Sequence, residues 1–151
     1  MTIYIQDYNW CHEVYMILKL LASFILGGLI GWERERAGKE AGIRTFGQIC
    51  MGACAFSMIS QSMNFADPSR IAAQIVLGIG FIGAGIISRD SEGPHGLTTA
   101  ASLWVSAAVG MSMGFSLYIM GTCLALIIIG SLRLPSTRFW PSFSKKRIKD
   151  L

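Results

Sequence analysis

The sequence predicts an all-α fold: a multi-pass transmembrane helical bundle of about five helices, with its N-terminus outside and its C-terminus inside. Three observations carry that expectation. Apolar residues make up 52% of the 151-residue chain and charged residues only 15%, against roughly 25% charged in soluble domains. The mean hydropathy is +0.50. The charges are also clustered, leaving long stretches nearly free of them, which is the distribution a bilayer demands.

The first span is expected at about residues 14–32, where Lys19 is the one charge. Nineteen residues rising 1.5 Å each reach roughly 28 Å, close to the hydrocarbon thickness. Before it, residues 1–13 make a short periplasmic or interfacial segment. Tyr4, Tyr8, Trp10 and Tyr15 suit the membrane–water boundary there. This segment carries Asp7 and Glu13 but no Lys or Arg, so a secretory signal peptide is not expected. The second span covers about 45–63, with Gln48 and Gln61 its most polar members, and the third about 71–87, glycine-rich and containing Gln74. Each is read as helical because unpaired backbone groups are too costly in lipid. From Leu97 to Leu132 there is no charge at all. One helix of that length would be roughly 54 Å long, too long for a bilayer even when tilted. A break where Gly110, Ser112, Gly114 and Ser116 alternate divides it into spans at about 97–113 and 115–132. Residues 133–151 form a basic cytoplasmic tail that would rest on anionic lipid.

Charge placement tests the count. Five spans put Arg34, Arg36, Lys39 and Arg44 of the first loop, Arg89 of the third, and Arg133, Arg138, Lys145, Lys146, Arg147 and Lys149 of the tail on one side. Only Arg70 is left on the other, the asymmetry that cytoplasmic loops show. Four spans would strand the basic tail outside.

Several function classes fall away. The net charge of +4 sits at the ends of apolar segments rather than on a soluble basic face interleaved with aromatics, so no nucleic-acid partner is expected. Cys11, Cys50, Cys54 and Cys123 form no CxxC or CxxH pair, so no zinc site is expected. Cys50 and Cys54, one turn apart in an apolar run, read as small buried hydrophobes. His12 and His95 fall on opposite sides, and no nucleophile–base arrangement is indicated. The chain is read as non-enzymatic and without a cofactor.

Two groups of residues remain. Gly78, Gly80 and Gly83 spell GxGxxG, with Gly85 following. A dinucleotide fingerprint needs a preceding strand, and these glycines lie inside an apolar run, so close helix packing is the reading. Ser23, Gly27 and Gly31, and likewise Gly110 and Gly114, repeat the small-xxx-small spacing. The candidate polar cluster comprises Glu33, Arg34, Glu35, Arg36, Arg44, Asp67, Arg70, Gln74, Arg89 and Asp90. Most lie at the expected cytoplasmic edge, where opposite charges could form an ion-pair network or a docking surface. Their carboxylates are hard oxygen donors suited to magnesium, although no spacing specifies a cage. Asp67-Pro68 reads as a helix start. Arg70 and Gln74 then share one face a turn apart, and Lys19 either snorkels outward or marks a functional position.

Four stretches in register resemble the MgtC/SapB family: Gly28 to Arg36 (GLIGWERER), Ala41 to Thr45 (AGIRT), Asp67 to Gly85 (DPSRIAAQIVLGIGFIGAG) and Gly96 to Trp104 (GLTTAASLW). The resemblance covers roughly residues 14–132, with Trp32 standing where the family often has Leu. It implies a bacterial inner-membrane protein tied to growth under magnesium limitation. It also implies a role as regulator of other membrane proteins, such as the F-type ATP synthase, rather than as a magnesium transporter. Longer members carry a soluble domain after the helices, and this sequence is expected to be a short form without it. The expected partners are the lipid bilayer and another integral membrane protein or a second copy, with magnesium possible. A transporter or channel for magnesium or protons is the alternative, resting on Lys19, Arg70, Gln74 and the edge carboxylates.

Overall fold

The structure, a computed structural model, describes residues 10–63, 69–90 and 93–134. Among these, five helices follow in order: α1 (Trp10–Arg36), α2 (Ile43–Ser62), α3 (Ser69–Ile86), α4 (Leu97–Gly114) and α5 (Tyr118–Arg133). A short antiparallel hairpin, β1 (Ser88–Asp90) with β2 (Gly93–His95), joins α3 to α4. Asp67, the interfacial segment before Trp10 and the tail after Leu134 lie outside the described residues.

The helix ends differ from the expected spans in physically informative ways. α1 overshoots its apolar stretch by one turn at each end, because Glu33 to Arg36 are good helix formers that continue the helix past the hydrocarbon. It stops in a Schellman arrangement: Gly38 adopts φ +68°, its N–H donates to the Glu35 carbonyl, and Lys39 N–H donates to Arg34. α4 stops the same way with a serine in the glycine position. Ser116 has φ +63° and donates to Met113, while Leu117 N–H reaches Ser112 at 2.8 Å. The break in the charge-free stretch therefore falls at residues 115–117. The 88–95 hairpin was not foreseen, since three-residue strands carry too little alternation to read.

α4 is the hub. It packs against each of the other four helices, while α3, α2, α1 and α5 form an arc around it in that neighbour order. Small residues set these approaches. A Cβ on Gly27 would lie 2.5 Å from the Phe46 carbonyl oxygen, and one on Gly31 the same distance from that of Gly42. One on Gly110 would overlap the Cys50 carbonyl, and one on Gly114 would lie 2.6 Å from Ser57 Cβ. α1 and α2 are thus antiparallel and α2 and α4 parallel, with backbones nearly touching.

The radial distribution of side chains identifies the solvent. The interior holds Lys19, Ser23, Ser57, Ser60, Ser102, Ser106 and Ser112 among small apolar residues and Phe46, Ile30 and Leu103. The exterior carries Phe81 at 84% exposure, Ile119 at 83%, and Leu77, Leu126, Ile127 and Trp104. In water that surface would aggregate; in hydrocarbon it is the expected one. The buried hydroxyls hide their polarity locally: Ser57, Ser102, Ser106 and Ser112 each donate to the carbonyl four residues earlier. α1 and α3 are each long and apolar enough to cross a bilayer, and α5 is a shorter apolar helix.

Candidate functional site

The one charge inside the apolar stretch of α1 is Lys19. It lies on the inward stripe of α1 that continues through Ser23, Gly27 and Gly31, four residues apart, which is the stripe that packs against α2 and α4. Being on that stripe turns the side chain into the bundle, where it is only 8% exposed. Its ammonium donates to Ser116 Oγ at 2.8 Å and to the Gly114 carbonyl at 3.4 Å. It also stands 4.7 Å from the Tyr15 ring centroid and 6.0 Å from that of Tyr118. The Tyr15 and Tyr118 hydroxyls are bonded to each other. Gln61 Nε2 donates to the same Gly114 carbonyl at 3.1 Å.

The positive charge is thus placed at the negative end of the α4 dipole, where unpaired carbonyls favour it. One turn deeper, Ser23 Oγ is fully buried beside the Cys54 thiol. Below it the glycine contacts of α1 and α4 with α2 close the interior. Lys19 therefore caps a packed bundle instead of snorkelling outward. Sequence reasoning had not joined Gln61, Ser116 and Tyr118 to it; the spacing of four linking Lys19 to Ser23 was the available signal.

At the other end of α1 the polar residues separate into distinct contacts rather than one cluster. Arg34 is buried and forks onto its neighbour Glu33, Nε to Oε2 at 2.8 Å and Nη2 to Oε1 at 3.3 Å. Glu35 accepts from Ile43 N–H at 3.3 Å, placing its negative charge at the positive start of α2. Arg36 lies over the Trp32 ring at 4.1 Å. Arg44 is exposed in the first turn of α2. Arg89 and Asp90 sit on β1, Arg89 exposed and opposite Pro94 in the hairpin register. A cavity of about 400 Å³ between the first loop and the hairpin is lined by Lys39, Glu40, Ser88, His95 and Thr99. No trio of His, Cys, Asp or Glu among the described residues is placed to hold a metal ion.

Arg70 and Gln74 are separated from these groups by most of the length of α3. Both are exposed and line one depression with Met63 and Ile71. Gln74 also faces a longer groove of about 630 Å³ between α2 and α3, with Thr45 and Gln48 its other polar members and Gly52 and Gly78 on its walls. The α3 glycines differ from the packing expected of them. A Cβ on Gly78, Gly80 or Gly85 would meet nothing within 4 Å, and one on Gly83 would make only ordinary contact with Ala100 at 3.7 Å. Of the eighteen residues of α3, only Ala72, Ile75, Ile79 and Gly83 are buried. The helix joins the bundle by one narrow edge, and its remaining glycines look outward.

Comparison with known proteins places this architecture. A protein-family model described as the MgtC family matches residues 20–137. The chain is 44% identical over 113 residues to Protein MgtC of Salmonella typhimurium, covering 75% of this chain and 49% of that protein. It is 45% identical over 111 residues to Protein MgtC of Brucella abortus, covering 73% and 47%. It is also 44% identical over 126 residues to YhiD of Escherichia coli K12, whose name provisionally assigns it to magnesium transport, covering 75% and 58%. The chain therefore spans about half the length of the curated relatives it matches. No solved structure matches. With an outward apolar surface, a buried polar seam and a match running through all five helices, this chain is a membrane protein that belongs to the MgtC family.

Proposed function

We propose that this protein is a multi-pass inner-membrane module that regulates another integral membrane protein in magnesium or envelope homeostasis, without catalysis of its own. Its N-terminus is outside, and the Glu33–Arg44 connection is inside. The observation that carries the reading is the contrast between two sets of glycines. Gly27, Gly31, Gly110 and Gly114 are consumed by contacts inside the bundle, whereas Gly78, Gly80 and Gly85 have no neighbour within 4 Å. Helices associate in lipid through such small-residue faces, because apolar side chains gain nothing from leaving acyl chains for one another. α3 thus offers a partner helix close backbone approach beside the Gln48–Gln74 groove. The magnesium connection is drawn from the name of the Escherichia coli relative.

The test is co-purification from membranes in mild detergent after Gly78→Leu and Gly80→Leu, with recovered membrane proteins quantified against the wild type. The expected outcome is lower partner recovery for both with the bundle kept intact, since a Cβ added at either position meets nothing within 4 Å. Equal recovery for the pair removes the α3 face as the docking surface.

Ion transport has weaker support. Lys19 is the one charge inside the apolar stretch of α1, and backbone contacts at Gly27 and Gly110 close the route beneath it. Magnesium or proton flux through the purified chain in liposomes would reverse that judgement.

A further inference from the structure

We infer that the crevice between the C-terminal ends of α1 and α5 is a binding site for one anionic phospholipid. The crevice encloses about 370 Å³ and is lined by Leu29, Trp32, Glu33, Arg36, Ala37, Ile129 and Arg133. Its chemistry changes with depth as a phospholipid does. Arg36 and Arg133 stand in the last turns of the two helices, at the level where an apolar span gives way to headgroups. Leu29 and Ile129, one to two turns deeper, offer an acyl chain an apolar wall, and Trp32, one turn before Arg36 on α1, also lines the crevice.

The electrostatics select an anion. The carboxylate on the wall, Glu33, is already forked by the buried Arg34 guanidinium, so that pair is neutral together. Arg36 and Arg133 remain as two positive charges. Arg36 Cζ lies 4.1 Å from the Trp32 ring centroid, and a guanidinium that rests on an aromatic ring keeps N–H donors for a phosphate oxygen. α1 and α5 are neighbours at one side of the arc around α4, so the crevice opens directly to lipid. A zwitterionic headgroup would bring its own cation to the arginines; a phosphatidylglycerol headgroup does not.

The experiment keeps Trp32 as the only tryptophan, with Trp10, Trp104 and Trp140 changed to Phe, in the full chain reconstituted in phosphatidylcholine vesicles. Its fluorescence is quenched by a small fraction of dibrominated phosphatidylglycerol or, separately, dibrominated phosphatidylcholine. Each arginine near the surface contributes about fivefold, so a preference for the anionic lipid of about 25-fold is expected. Arg36→Gln alone reduces it about fivefold, and Arg36→Gln with Arg133→Gln abolishes it. The paired Lys substitutions keep most of it. Quenching by the choline lipid is unchanged in every variant, which reports that the helices remain in place. Equal quenching of the wild type by both lipids overturns the site, and so does a preference that survives the double Gln change. Added inorganic phosphate or glycerol phosphate leaves the preference intact; its loss under either assigns the crevice to a soluble phosphate and overturns the lipid.

Discussion

Gly110→Ala is the sharpest perturbation of this fold, because one methyl group would be driven into the backbone of a neighbouring helix. The added Cβ overlaps the Cys50 carbonyl oxygen and lies 2.8 Å from the Cys50 carbonyl carbon and 3.0 Å from Ala53 Cβ. Restoring ordinary van der Waals contact requires α4 and α2 to separate by roughly an ångström, since neither backbone can turn aside as a side chain would. Overpacking of this kind costs about 3 kcal/mol, and the better helix propensity of alanine returns about 1, for a net loss of about 2 kcal/mol. Reversible unfolding of the purified protein in mixed micelles of increasing SDS content measures it. Maleimide labelling of Cys50 and Cys54, both fully buried in the native bundle, should rise in parallel as the helices part. Gly80→Ala is the control, with no neighbour within 4 Å and no expected loss. A Gly110→Ala protein as stable as the wild type, or a Gly80→Ala protein equally weakened, would refute the assignment of which glycines hold the bundle together.

Further outcomes follow from the Lys19 seam. Lys19→Met should stay within about 1 kcal/mol of the wild type, because an apolar side chain of similar length replaces a buried charge that is costly in itself. Lys19→Glu should lose about 3 kcal/mol in the same unfolding assay, since a carboxylate would face the Gly114 carbonyl that now accepts from the ammonium. At Ser116, whose φ is +63°, a change to Gly relieves left-handed strain of about 1 kcal/mol and removes one hydrogen bond of similar worth, so stability should hardly change. Ser116→Val should lose about 2 kcal/mol and loosen the α4–α5 turn, seen as faster proteolysis there.

The helices were legible because a bilayer is a strict solvent: an uncharged run of bilayer length has few alternatives, and Leu97 to Leu132 had to break once. Where it breaks was less legible. Gly110 and Gly114 look like turn residues in the sequence, yet both are spent on contact with α2, and the turn is made by Ser116. The orientation of Lys19 was readable in principle, since it is in step with Ser23, Gly27 and Gly31. What could not be read was the set of groups that receives it, because Gln61, Ser116 and Tyr118 come from three other parts of the chain. For α3 the same glycine pattern that marks internal packing in α1 and α4 marks an open face. Composition cannot distinguish these, because the difference lies in which neighbour the fold supplies. The polar run Glu33 to Arg36 reads as an edge, but its four side chains make three separate contacts, Glu33 with Arg34, Glu35 with the start of α2 and Arg36 with Trp32.

The central place of α4 bears on how the molecule is assembled. It is the fourth helix to leave the ribosome, so α3 waits in lipid for the surface it will rest on while α1 and α2 already have each other. α4 is suited to arriving late: it carries no ionisable group, and Ser102, Ser106 and Ser112 are satisfied by its own carbonyls before any neighbour is met. Insertion and docking can therefore be separate events, and a nascent chain that ends before residue 97 should hold α3 loosely and be cleared by membrane proteases.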